Sequence, residues 1–160
     1  MKDLKALDGS SFDASELKGR VVLITNVASA CGYTRANYDA FKRLTSDYGS
    51  QGLVILAQPS NQFGKQEPGT PKEIRDFVQS CGVHSVPLLQ KGDVKGDDIT
   101  PLYKALLEAT ATESVAIDWN FATKLLVARD GVSVERFDKA FDTEKLRPNI
   151  DALLKEHAPA

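Results

Sequence analysis

Hydrophobic positions in this chain fall into two kinds of run, and their alternation predicts the architecture. "RVVLITNVA" (20–28) and "LVILAQ" (53–58) are continuous apolar runs rich in β-branched residues, the pattern of strands covered on both faces. Between them, in "TRANYDAFKRLTSDYGS", Tyr38, Phe41, Leu44 and Tyr48 recur at steps of three and four. That spacing predicts an amphipathic helix, with Thr34 as its N-cap. Strand, helix and strand in this order make a right-handed βαβ unit with parallel strands. "PSNQFGKQEPG" then breaks all periodicity as a long polar loop. "TPKEIRDFVQSCG" carries helix signals at both ends: Thr70 as N-cap, Pro71 at the first helical position, Glu73 at the capping-box position and a closing Gly82.

Further along, "VPLLQ" reads as a short strand and "TPLYKALLEAT" as another helix opened by Thr-Pro. "FATKLLVARDGVSVERFD" is two strands across an Asp130–Gly131 turn, an antiparallel hairpin. Pro148 lies inside "TEKLRPNIDALLKEH", so the last regular helix starts near it and runs to about His157. At the other end, the D-G turn in "LKALDGSSFDASEL" predicts an N-terminal β-hairpin. The order β-α-β-α-β-α-ββ-α is that of an α/β protein with a central mixed sheet flanked by helices. No repeat or linker interrupts residues 1–160, which read as a single domain.

Charge and composition narrow the function classes. Twenty Lys and Arg are scattered against 22 Asp and Glu, so no basic stripe invites nucleic acid or an anionic membrane surface. The N-terminus lacks the apolar core of a secretory signal, and no apolar run approaches the ~20 residues of a membrane span. Two cysteines fifty positions apart, with His84 and His157, make neither a disulfide scaffold nor a metal-binding spacing, and no cofactor motif is present. The expected setting is a reducing cytoplasm, where a cysteine that matters is catalytic or redox-active.

Cys31 fits that description. It lies in "NVASACGYT" (26–34), past the carboxyl end of the first parallel strand, where open α/β sheets gather their active sites. The helix that follows offers unpaired N–H groups and a partial positive charge that favour a thiolate. Ala28, Ser29, Ala30 and Gly32 leave room beside the sulfur. A buried, space-filling cysteine is the alternative. Two other segments bear on the choice. The loop "NQFGKQEPG" follows the second strand and should emerge at the same sheet end, bringing the Gln66 amide. "DWNF" (118–121) offers the Trp119 indole N–H and the Asn120 amide. Taken singly, Trp119 is a core aromatic, Gln66 a solvated loop residue and Asn120 a turn former; together they are neutral donors of the kind that stabilise a thiolate and a departing oxyanion.

"NVASACGYT", "NQFGKQEPG" and "WNF", in this order and at these separations, resemble the three signature segments of the glutathione peroxidase family of thiol peroxidases. The resemblance runs from the strand at 20 to the hairpin "LLVARDGVSVERF". It implies a thioredoxin fold and the reduction of hydrogen peroxide and organic or lipid hydroperoxides. It also implies a catalytic tetrad of Cys31, Gln66, Trp119 and Asn120, in which Cys31 is oxidised to a sulfenic acid. Two departures from the family pattern stand out. The stretch usual as "FPCNQFG" is here "QPSNQFG", with Gln58 and Ser60, which removes a cysteine outside the tetrad. The resolving cysteine of thioredoxin-dependent members is expected at the position of Gln79, whereas this chain has Cys81. Cys81 is then either a shifted resolving cysteine, with thioredoxin as reductant, or an inert packing residue, with glutathione or another small thiol attacking the sulfenic acid. A non-enzymatic peroxide-sensing relay is a rival, as are a disulfide oxidoreductase, weakened by the missing C-x-x-C, and a structural binding module, which would not need Gln66, Trp119 and Asn120 around a thiol. The short "ATESVAID" before "WNF" lacks the insertion of tetrameric members and resembles the monomeric branch, which leaves Cys31 open to bulky hydroperoxides.

Overall fold

A computed structural model describes residues 3–158. Its elements are β1 (Val21–Val27), α1 (Thr34–Tyr48), β2 (Leu53–Pro59), α2 (Pro71–Ser80), α3 (Pro101–Ala109), β3 (Lys124–Val127), β4 (Val134–Phe137) and α4 (Arg147–Leu154). The sheet order is β2-β1-β3-β4. β1 pairs in parallel with β2, from Val21↔Leu53 to Val27↔Pro59, and antiparallel with β3. β3 and β4 form the predicted antiparallel hairpin, with Gly131 of its turn at a φ of 71°. The sheet is therefore mixed, and the βαβ unit is where the sequence puts it.

The apolar run of β1 is buried along its whole length because both its faces are covered. Alternate residues Val21, Leu23 and Val27 join a core with Tyr38, Phe41 and Leu44 of α1, Ile74 and Val78 of α2, and Ile150 of α4. Val22 and Ile24 face the opposite way, onto Leu102, Tyr103 and Leu106 of α3. Two layers of helix thus enclose the sheet, as the period-two geometry of a strand requires.

Four expectations need correction at element ends. Thr34 does not cap α1: Tyr33 holds that position without a side-chain bond, and the Thr34 hydroxyl turns back to donate to Ala28 O at 2.6 Å. The N-terminal hairpin shrinks to one bridge, Lys5↔Ser11, after which residues Ala14–Leu17 wind into a 3-10 turn capped by Asp13. "VPLLQ" makes two single bridges, Ala57↔Leu88 and Ala6↔Leu89, rather than a strand. The last helix begins at Arg147, behind a 3-10 turn over Thr143–Leu146, and stops at Leu154. By contrast the capping box of α2 is complete, with Thr70 and Glu73 each bonded to the other's backbone N–H.

Candidate active site

Cys31 lies between the end of β1 at Val27 and the start of α1 at Thr34. Its carbonyl accepts from Thr34 N at 3.1 Å, so the cysteine forms part of the tight turn into the helix. The turn is lashed to the loop after β2. Ala30 N donates to Gln66 O at 3.0 Å, and the Ser29 N–H and hydroxyl both donate to Glu67 Oε1. Glu67 is held in turn, its N–H bonded to Asn61 Oδ1 at 2.9 Å and its carbonyl accepting from Lys91 Nζ at 3.0 Å.

The third segment arrives from the strand side. Asn26, the next-to-last residue of β1, donates to Trp119 O at 3.3 Å, and its carbonyl accepts from Phe121 N at 2.9 Å. Asn120 is fully buried and donates to Gln66 Oε1 at 3.0 Å and Phe63 O at 3.3 Å. With Gln66 Oε1 engaged as an acceptor, Gln66 Nε2 remains the free donor of that amide. The Trp119 ring packs near Phe63, with centroids 6.0 Å apart. Gly64 makes this approach possible: its φ is 65°, and a Cβ there would stand 3.2 Å from the indole and 3.3 Å from the Gln66 side chain. Three segments far apart in sequence therefore meet at the carboxyl end of β1, as the sheet topology predicts.

Cys81 follows the last residue of α2 and is, like Cys31, a free and buried thiol. Its sulfur accepts from Arg35 Nη1 at 3.4 Å, and the same guanidinium lies over the Phe77 ring. Arg35 belongs to the first turn of α1, so a side chain close to Cys31 in sequence reaches the sulfur of Cys81.

Several polar groups that frame the site went unread in the sequence. Glu67 is buried, and burial pushes its carboxyl above the ordinary glutamate range, opposed by its Ser29 and Lys91 contacts. Among the described residues its Oε2 has no partner, nor does the buried Tyr38 hydroxyl, whose proton affinity is raised by burial first and then by the nearby Glu67 and Cys81. Lys124, Asn37 and Thr143 form a second buried cluster. Only Lys124 left a signal, as a lysine inside the apolar run "FATKLLVA".

A family model described as Glutathione peroxidase matches residues 2–107. Glutathione peroxidase 2 of Caenorhabditis elegans is 42% identical over 153 residues, 95% of this chain and 93% of the relative. The hydroperoxy fatty acid reductase Gpx2 of Synechocystis is 44% identical over 135 residues, 84% of each chain. Among solved structures, the crystal structure of T. cruzi GPX1 superposes with a TM-score of 0.74 at 35% identity, covering 94% of this chain and 92% of that one. The solution structure of a putative thioredoxin from Neisseria meningitidis, at 16% identity and a TM-score of 0.65, shares the fold: it covers 96% of this chain and 87% of the other.

Proposed function

The chain belongs to the glutathione peroxidase family, and we propose that it reduces hydroperoxides through Cys31 as the reacting thiol. The observation that carries this reading is the convergence of segments: Gln66 is bonded both to Ala30, beside Cys31, and to Asn120. The Cys31 thiolate attacks the terminal oxygen of ROOH. An S–O bond forms, the O–O bond breaks, and the alkoxide leaves as ROH once protonated, with Cys31 as sulfenic acid. Gln66 Nε2 and the Trp119 indole N–H are neutral donors for the thiolate and for the charge that develops on the leaving oxygen, and Asn120, its own amide N–H groups held by Gln66 Oε1 and Phe63 O, fixes which way the Gln66 amide points. The substrate class is hydrogen peroxide and organic hydroperoxides, in keeping with the fatty acid hydroperoxide named for the Synechocystis relative.

In the second half-reaction Cys81 attacks the sulfenic sulfur. The S–S bond forms and water leaves, giving a disulfide that thioredoxin reduces. Arg35 supports this role, since it ties the Cys81 sulfur to the first turn of α1. Cα atoms must come within ~7 Å for such a bridge, and unwinding the last turn of α2 before Gly82 supplies the movement. The working form is a monomer in a reducing compartment; among the described residues no helix is long and apolar enough to cross a membrane.

Steady-state hydroperoxide reduction is to be measured with thioredoxin and, separately, with glutathione. Cys31→Ser should lose turnover with both reductants by at least ~10³-fold, because a hydroxyl cannot replace the thiolate nucleophile. Cys81→Ser should keep its single-turnover peroxide reaction and lose thioredoxin-driven turnover. Near-normal activity of Cys31→Ser would overturn the assignment of Cys31, and thioredoxin turnover surviving in Cys81→Ser would overturn that of Cys81.

A further inference from the structure

Lys124 opens β3 with no surface exposed to solvent. It lies on the strand face it shares with Leu126, against the core that includes α1. Among the described residues every hydrogen-bond partner it has is neutral: its ammonium donates to Phe121 O and, at 2.9 Å, to Asn37 Oδ1. Asp142 attracts it from beyond hydrogen-bonding distance, yet burial still draws its pKa down to about 7. Burying an ammonium without a bonded carboxylate is unfavourable, and an apolar residue would continue "LLV" at lower cost. Such a local conflict with the core is expected where a residue serves function.

What this ammonium connects is specific. Phe121 sits at a φ of 62°, a left-handed conformation that a bulky side chain keeps only when its surroundings hold it. Its N–H is held by Asn26 O and its C=O by Lys124. Trp119 and Asn120 are the two residues just before it. Asn37 spreads the tie further: its Oδ1 also accepts from Thr143 Oγ1 at 2.7 Å, and its Nδ2 donates to Tyr33 O at 2.9 Å and Phe141 O at 3.0 Å. Tyr33, stacked on Phe141 at 4.2 Å, is two residues past Cys31. A single buried ammonium thus joins the turn bearing Trp119 and Asn120 to the turn bearing Cys31.

We propose that Lys124 is a positioning residue for hydroperoxide reduction, holding the Trp119–Asn120 turn in register with the Cys31 turn through Phe121 O and Asn37. The proposal rests on the reading of Cys31, Trp119 and Asn120 as the reacting site. Without the tie, the left-handed Phe121 relaxes and Asn120 moves relative to the sulfur. A displacement on the order of 1 Å is enough to slow a reaction ~10²-fold.

The test separates the two halves of the cycle. Pre-reduced Lys124→Met is mixed with hydrogen peroxide in stopped flow and followed by emission of Trp119, the only tryptophan. Reduction of the oxidised protein by dithiothreitol is timed separately. Expected is a folded protein whose oxidation rate constant falls at least ~10-fold while its reduction rate stays within about twofold. Lys124→Gln, which is shorter but still a donor, should recover part of the loss. If Lys124→Met does not fold, Lys124→Gln carries the test, with oxidation slowed about threefold or more and reduction unchanged. Oxidation within twofold of wild type in a folded variant would overturn the proposal, and so would equal slowing of both steps. Failure of the underlying reading is distinct: it shows as peroxide reduction persisting in Cys31→Ser.

Discussion

The two cysteines are equally buried, at 8% exposure for Cys31 and 7% for Cys81, but their surroundings differ in kind. Cys31 is framed by bonds that span the sequence. Ser29 reaches Glu67, Ala30 reaches Gln66, and Thr34 turns back onto Ala28. Cys81 is framed by its own helix end: its N–H is shared between Phe77 O and Val78 O, and Val83 N returns to Val78 O. From another part of the chain, Arg35 Nη1 reaches its sulfur. Moving Cys31 breaks backbone bonds between distant segments, whereas moving Cys81 unwinds one turn and parts its sulfur from Arg35 and the shared core. A two-step thiol reaction uses both properties, a fixed centre for the attack on peroxide and a mobile partner for the disulfide.

The largest effect should come from removing part of the fixed frame around Cys31. Asn120→Ala deletes the amide bonded to Gln66 Oε1 and leaves the Cys81 end untouched. With the Gln66 amide no longer held, the peroxide oxidation rate of Cys31 should fall ~10²-fold, in the range typical of losing one preorganised donor, and disulfide formation should keep its rate. Quenched-flow trapping with an alkylating agent reads both steps. Equal slowing of the two would mean that the cysteines share one frame.

Next in size is Glu67, the anchor of the Ser29 turn. Glu67→Ala strands the two Ser29 donors and should destabilise the fold by about 1–3 kcal/mol in denaturant unfolding. Glu67→Gln keeps an acceptor and isolates the charge. The folded-state pKa of Glu67 is raised, so below the ordinary glutamate range both states are protonated and it has no effect. As pH climbs through that range the unfolded chain ionises first, and the folded protein loses stability until its own carboxyl ionises. The stability of Glu67→Gln relative to wild type should therefore improve from pH 4 to pH 7. A difference that is flat with pH would place the charge in solvent.

How legible these two settings were differs in the same way. The strands, the βαβ unit, the capping box of α2 and the hairpin at Gly131 all follow from local signals, namely apolar period, cap residues and turn glycines. The meeting of the segments that carry Cys31, Gln66, Trp119 and Asn120 was legible because each segment adjoins a strand end that the apolar pattern predicts. Thr34 was misread because a cap is decided by one dihedral and one rotamer, and its hydroxyl found Ala28 O instead. "VPLLQ" failed as a strand because its pairing is confined to two single bridges, which no period reveals. Glu67, Asn37 and Lys124 went unread because each acts through a partner between 38 and 87 residues away. Burial of a polar group across such distances leaves no trace in the local pattern around Glu67 or Asn37, and around Lys124 only the mark of a lysine inside an apolar run.

The smallest change tests the mobile side. Gly82 follows Cys81 at a φ of 78°, where an L side chain is strained, so Gly82→Ala should weaken the helix end by roughly 1 kcal/mol. The added Cβ would stand 3.4 Å from Lys42 Nζ, the tip of a flexible chain that can move aside, so the strain stays in the backbone. Global stability should drop by the same small amount. If Cys81 reacts from an unwound turn, a 1 kcal/mol loss in the closed form raises the open population, and disulfide formation after a peroxide pulse should quicken about fivefold. The oxidation rate of Cys31 should not change, because its frame does not include Gly82. A slower disulfide step in the destabilised variant would mean that Cys81 attacks from the closed helix end, and the mobility assigned to it would be wrong.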